Sequence, residues 1–200
     1  MFPAKALGVY AAIIAVALSR VRTHHPFPSF GPANAVTTIR AMLTAIVWAC
    51  VGEPHTRAIA VGAVAAATAA TILDGVDGWL ARRTRMASAF GARFDMEVDA
   101  LLILALSILA WRHEKAGVWV LASGLLRYVF IAAGWMWPWM TRPLTPTLRA
   151  RAICVVQIVV LLLVMLPSIV PPASTWIAAA GVAVLAYSFA IDTLGLWRHR

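Results

Sequence analysis

The chain has 200 residues, 62% of them apolar and 12% charged, with a mean hydropathy of +0.83. A soluble domain carries roughly 25% charged residues, so an aqueous fold cannot hide this much apolar surface and the solvent is lipid. The net charge of +9 then marks arginines flanking membrane spans rather than a nucleic-acid surface, and two cysteines in apolar runs, Cys50 and Cys154, form no disulfide or zinc framework.

From the N-terminus, the apolar run 6–19 is short for a membrane crossing. It reads as a marginal span or a helix lying in the interface, and its flanks lack the cleavage site of a removable signal peptide. A basic loop with His24 and His25 follows, and these histidines have no partners at ligand spacing. Apolar runs then cover 35–53, 57–81, 95–112, 116–137, 151–170 and 174–197, each long enough to cross a bilayer as helix. The expected fold is all-α: a polytopic membrane bundle of six core helices plus a short N-terminal apolar helix. Residues 1–32 form the appended segment and loop, and 33–200 one membrane domain.

Within the second span, the Ala/Gly-rich stretch 58–71 predicts close helix packing, because small side chains let helix backbones approach in lipid. At the end of that span stand Asp74 and Asp77, and the third span opens with Asp95 and Asp99. Spacings of three and four put each pair on one helix face, so two antiparallel neighbours can aim four carboxylates at one point. Four like charges near a membrane are costly and call for a positive partner. An all-oxygen ligand set suits hard divalent cations. Glu97 points off that face and is left out of the set. Gly78 and Ala81, one turn apart, floor a slot beside Arg82 that could take a nucleotide and its phosphates, and Gly91 permits another close approach.

Further along, Arg127 lies inside the fourth span with Tyr128, and an intramembrane charge is a functional candidate by default. Trp135, Trp137 and Trp139 read as an interfacial aromatic belt. Pro138, Pro143 and Pro146 mark a turn-rich connector. Arg149 and Arg151 open the fifth span. Asp192, in the last span, is expected to pair with an arginine of another span.

Lys and Arg set the orientation. With the loop after the second span inside, Arg20, Arg22, Arg82, Arg83, Arg85, Arg93, Arg142, Arg149, Arg151, Arg198 and Arg200 share the inner side. Lys5, Arg57, Arg112 and Lys115 lie on the other. This bias places the carboxylates and the C-terminus in the cytoplasm.

The residues Asp74, Asp77-Gly78, Ala81-Arg82, Gly91, Asp95 and Asp99 match every fixed position of D-x2-DG-x2-AR-x8-G-x3-D-x3-D. This resembles the signature of the CDP-alcohol phosphotransferases. The stretch "NAVTTIR", with Asn34, Thr37 and Arg40, resembles the N-x-x-T-x-x-R opening of the family's first core helix. The resemblance implies transfer of a phosphatidyl group from CDP-diacylglycerol to an alcohol, with release of CMP. It implies that Asp74, Asp77, Asp95 and Asp99 hold two divalent cations, Mg²⁺ or Mn²⁺, and that Asp99 is the base for the acceptor hydroxyl. Asn34, Thr37, Gly78, Ala81, Arg82 and Gly91 become the CDP-binding residues.

For the acceptor, "LRARAICVVQ" is similar to the basic opening of the fifth core helix in the family's phosphatidylglycerophosphate synthases, with Arg for Lys and without its Thr. Arg127, Arg149 and Arg151 would suit a phosphorylated acceptor, so glycerol 3-phosphate is the first expectation. Inositol or its phosphate, serine, choline and phosphatidylglycerol stay open. The remaining expectations are a homodimer, membrane lipid as the surround, no nucleic-acid partner, and a bacterial inner-membrane location with a cytoplasmic site. A cation carrier is the alternative of another class, but it needs polar or broken helices across the bilayer, and here the carboxylates gather at one face. A scaffold that kept the motif without activity is a further alternative.

Overall fold

The computed structural model describes residues 2–24, 27, 30–141 and 148–198. His25, Arg142, Pro143, Pro146 and Arg200 lie outside the described residues, as do the side chains of Arg20, Arg22, His24 and Pro138. The described residues form seven α-helices and no strand: α1 (Phe2–His24), α2 (Pro32–Cys50), α3 (Arg57–Arg83), α4 (Ala89–Arg112), α5 (Ala122–Met136), α6 (Leu148–Met165) and α7 (Ala173–Arg198). Short 3-10 turns at Val118–Leu121 and Pro138–Thr141 flank α5. The expected all-α membrane architecture is what the chain adopts.

Six helices are long and apolar enough to cross a membrane, and α1 is one of them, through Phe2–Ser19. The run 6–19 is therefore an underestimate. Lys5 interrupts the apolar pattern, but its ammonium donates to the Glu53 carboxylate at 2.8 Å, and the helix continues past it to Phe2. The seventh, α4, has the length at 24 residues but carries Arg93, Asp95, Glu97, Asp99 and Arg112, so it falls outside on charge alone.

Helix ends follow local chemistry. Pro32 begins α2 at its first turn, where a missing N–H costs nothing. Gly31 before it takes φ 79°, a left-handed conformation open to glycine. Thr56 caps α3 by accepting from the Ile59 amide at 3.3 Å. The Ser88 hydroxyl accepts from the Gly91 amide at 3.0 Å, so α4 starts at Ala89 rather than at Asp95. The expected 151–170 span overran: apolar residues continue beyond Met165, but Pro167 cannot carry a helical hydrogen bond and α6 ends before it.

By its contacts the chain divides into two compact units, residues 1–105 and 106–200. In the first, Ala60, Ala63, Ala67 and Ala70 of α3 are buried in a small-residue stripe, and α2 and α3 pack closely. Ala41, Phe90, Phe94 and Val98 form a core against which Tyr10, Ile13, Ile14 and Ala17 of α1 pack. The Trp48 indole donates to the Leu101 carbonyl at 3.0 Å and ties α2 to α4.

In the second unit, Gly181 of α7 lies so close to α6 that a Cβ there would meet Val160 at 2.7 Å. Gln157 donates to the Ser123 hydroxyl at 2.9 Å, and Phe130 meets Phe189 edge-on at 5.8 Å. The buried Lys115 ammonium donates to the carbonyls of Leu166 and Ile169 beyond the end of α6. Its own carbonyl accepts from Ser174 at 2.7 Å. Cys50 and Cys154 form no disulfide among the described residues. Trp135 and Trp137 are exposed, and Trp139 is half-buried.

Candidate active site

The site builds from three helix faces of the first unit. On α2, Asn34, Thr37, Arg40 and Thr44 are all buried, because steps of three and four keep them on one side of the helix. That side meets Asp74 and Asp77 of α3 and Asp95 and Asp99 of α4, and the Arg40 guanidinium reaches all four. Its Nη1 pairs with Asp77 at 2.7 Å and with Asp95. Its Nη2 pairs with Asp74 at 2.9 Å and with Asp99. Its Nε donates to the Ala70 carbonyl at 3.2 Å. The close packing of α2 and α3 is what brings that carbonyl within reach.

Arg40 itself is 1% exposed. A guanidinium has five N–H donors in a fixed fork, and here it donates to Ala70, Asp77, Asp95 and Asp99, with Asp74 as a further ion-pair partner. Asp77 is equally withdrawn, at 5% exposure, and accepts from the Thr37 hydroxyl at 2.9 Å. Thr37 also lies 3.1 Å from the Ala33 carbonyl, but its single proton is better used on the charged acceptor.

The other three carboxylates converge. Asp74, Asp95 and Asp99 each offer an oxygen, and all three oxygens lie within 4.8 Å of one another. Three of the four expected carboxylates thus meet at one point, while Asp77, outside that group, is buried and held by Arg40 and Thr37. One guanidinium against four carboxylates leaves a negative excess, and hard oxygen donors with partial exposure suit Mg²⁺ or Mn²⁺. The donor set therefore fits divalent cations.

The expected nucleotide residues lie around this point. Gly91 touches α2: a Cβ there would come within 2.9 Å of the Asn34 Oδ1, while the Asn34 amide donates to the Phe30 carbonyl at 2.6 Å. Gly78 has the Arg82 guanidinium over it, 3.4 Å from where a Cβ would stand. Gly78 and Ala81 are partly exposed and Arg82 is exposed, so this end of α3 is open. Arg83 stacks over Trp79 at 4.9 Å.

The three arginines expected to bind the acceptor belong to the second unit. Arg149 pairs with Asp192 and donates to the Ser188 carbonyl at 3.4 Å, which gives Asp192 the arginine partner on another span that its cost demanded. Arg127 is half-buried on α5, and Arg151 is exposed on α6. Arg40 is the site residue that sequence reasoning missed. Its signal was present: an arginine within a span, in helical register with Thr37.

No curated protein and no solved structure matches the chain. A family model described as CDP-alcohol phosphatidyltransferase matches residues 30–187, a stretch that contains every helix contributing to the carboxylate cluster. An integral membrane chain with this motif and this convergence of carboxylates belongs to the CDP-alcohol phosphatidyltransferase family, whose members are transferases moving a phosphatidyl group from a CDP-alcohol to an alcohol acceptor.

Proposed function

We propose that the chain transfers the phosphatidyl group of CDP-diacylglycerol to glycerol 3-phosphate at the cytoplasmic face of a bacterial inner membrane. The observation that carries the reading is the convergence of the Asp74, Asp95 and Asp99 oxygens within 4.8 Å, at an end of α3 that Gly78 and Ala81 leave open. Asp74, Asp77, Asp95 and Asp99 would hold two Mg²⁺ or Mn²⁺ ions. Two such ions, when bound, stabilise charge on the attacking and leaving oxygens of a displacement at phosphorus.

The residues of the chain supply the rest. Asp99 accepts the proton of the acceptor hydroxyl as its oxygen bonds to the β-phosphorus, the one bearing diacylglycerol. The bond from that phosphorus to the bridging oxygen breaks, and CMP leaves with that oxygen. Asn34, Thr37, Gly78, Ala81 and Gly91 make room for the cytidine, and Arg82 contacts its phosphates. A site at the membrane face keeps the acyl tails in lipid and the CDP head in water.

Arg127, Arg149 and Arg151 bind the acceptor phosphate. Arg149 supports this part best, because Asp192 and the Ser188 carbonyl already orient its guanidinium, and the arginine fork matches phosphate geometry. Residues 33–200 act as one catalytic domain with 1–32 appended, and the working assembly is a homodimer. The test is CMP release from CDP-diacylglycerol by purified protein against glycerol 3-phosphate, inositol, inositol phosphate, serine, choline and phosphatidylglycerol. Glycerol 3-phosphate should give the highest kcat/KM. A higher value with an acceptor lacking phosphate overturns the assignment.

A further inference from the structure

We infer that Arg40 is a resident counter-ion, which holds the acidic cluster together before cations bind and releases Asp74, Asp95 and Asp99 when they do. This rests on the reading of those carboxylates as cation ligands. The contacts of Arg40 fall into two sets. Its Nε bond to the Ala70 carbonyl and its Nη1 bond to Asp77 are buried, and Asp77 is fixed a second time by Thr37. These form an anchor. The side chains of Asp74, Asp95 and Asp99 are 24%, 31% and 17% exposed, and they are the three whose oxygens converge.

A guanidinium N–H and a divalent cation compete for the same carboxylate lone pairs, and two positive centres at one point repel. In the anchor set, Thr37 and Arg40 both hold Asp77 through its Oδ2, which leaves its Oδ1 to a cation, so Arg40 can keep Ala70 and Asp77 while the partly exposed carboxylates turn away. The need for such a group follows from the membrane. Four carboxylates at the ends of two apolar helices are costly without a cation, and Arg40 is the cation that pairs with all four. Arginine suits the task where lysine does not, because only the planar fork can bridge four carboxylates and a carbonyl at once.

This device makes Arg40 an opponent of cation binding and a support of the cation-free fold. The experiment uses the full chain in nanodiscs. Mn²⁺ affinity is read by electron paramagnetic resonance, and the melting temperature is read in EDTA and in saturating Mn²⁺, for wild type, Arg40→Gln and Arg40→Lys. The expected result is Mn²⁺ binding about tenfold tighter or more in Arg40→Gln, equivalent to about 1.4 kcal/mol. The gain in melting temperature on Mn²⁺ addition should be larger in both variants than in wild type.

Equal or weaker Mn²⁺ binding in Arg40→Gln overturns the inference. If that variant cannot be purified, Arg40→Lys decides: a melting gain no larger than wild type overturns it, since a purely structural arginine would lower both states alike. Absence of Mn²⁺ binding in wild type overturns the cation-ligand reading itself, and the inference with it.

Discussion

Arg40 and Asp77 are 37 residues apart in the chain, and the buried guanidinium donates to the buried carboxylate at 2.7 Å. Around this pair the other three aspartates assemble. An arginine and an aspartate removed from water together are costly to separate, because truncating either leaves a buried charge. The candidate-site end of the first unit is thus organised from α2, which of the three helices that form it is the one without a carboxylate of its own.

Asp99 lies at the convergence point and is assigned the acceptor proton. Asp99→Asn removes the base and one ligand oxygen. CMP release should fall by about 10²–10⁴-fold, the usual worth of general base catalysis, while CDP-diacylglycerol binding persists in part. Wild-type turnover in the variant would remove Asp99 from the mechanism. Excess EDTA should stop the wild-type enzyme, and robust CMP release under chelation would sink the requirement for cations.

Gly91 presses its backbone against Asn34, and a methyl group added at its Cα would stand 2.9 Å from the Asn34 Oδ1. Gly91→Ala gains about 1 kcal/mol in helix propensity but crowds Asn34 and Ser88. Overpacking of this kind costs about 1–3 kcal/mol. The variant should remain folded and show a several-fold higher KM for CDP-diacylglycerol. An unchanged KM would mean that Asn34 and Gly91 pack the helices without shaping the nucleotide slot.

Arg127 and Arg149 are assigned to the acceptor phosphate. A charge-assisted contact is worth about 1.5–3 kcal/mol, so Arg127→Ala and Arg149→Ala should each raise the KM for glycerol 3-phosphate by about ten- to over a hundredfold. The KM for CDP-diacylglycerol should stay nearly constant. Asp192→Asn leaves the Arg149 side chain in place but removes the charge that orients it, and should give a smaller rise in the same constant. If Arg149→Ala instead unfolds the protein and Arg149→Ala with Asp192→Ala restores it, the pair is structural and the acceptor argument rests on Arg127 and Arg151.

Orientation is testable without turnover. A reporter placed after the last residue should read as cytoplasmic, and a cysteine at His113, in the turn after α4, should be labelled only from outside. The reverse pattern would put the carboxylates on the wrong face for a cytoplasmic CDP-lipid site.

The amino-acid sequence alone determined the solvent, the helical class and the four carboxylates. Hydropathy reads out directly as membrane length, and the three- and four-residue spacings of Asp74, Asp77, Asp95 and Asp99 are a local property of a helix. Boundaries were less legible where one residue opposed the trend. Lys5 hid the length of α1 until its partner Glu53 was seen, and the Ser88 cap moved the start of α4 ahead of the charged turn. Tertiary structure alone decided which charge meets which. Arg40 stood in the sequence only as the last residue of the NAVTTIR match, and the close packing of α2 and α3 is what turned it onto all four aspartates. Asp192 likewise announced the need for a cation, but the choice of Arg149 depends on how α6 and α7 pack. Pairing across helices is set by distance in space, which a linear pattern of residue types does not carry.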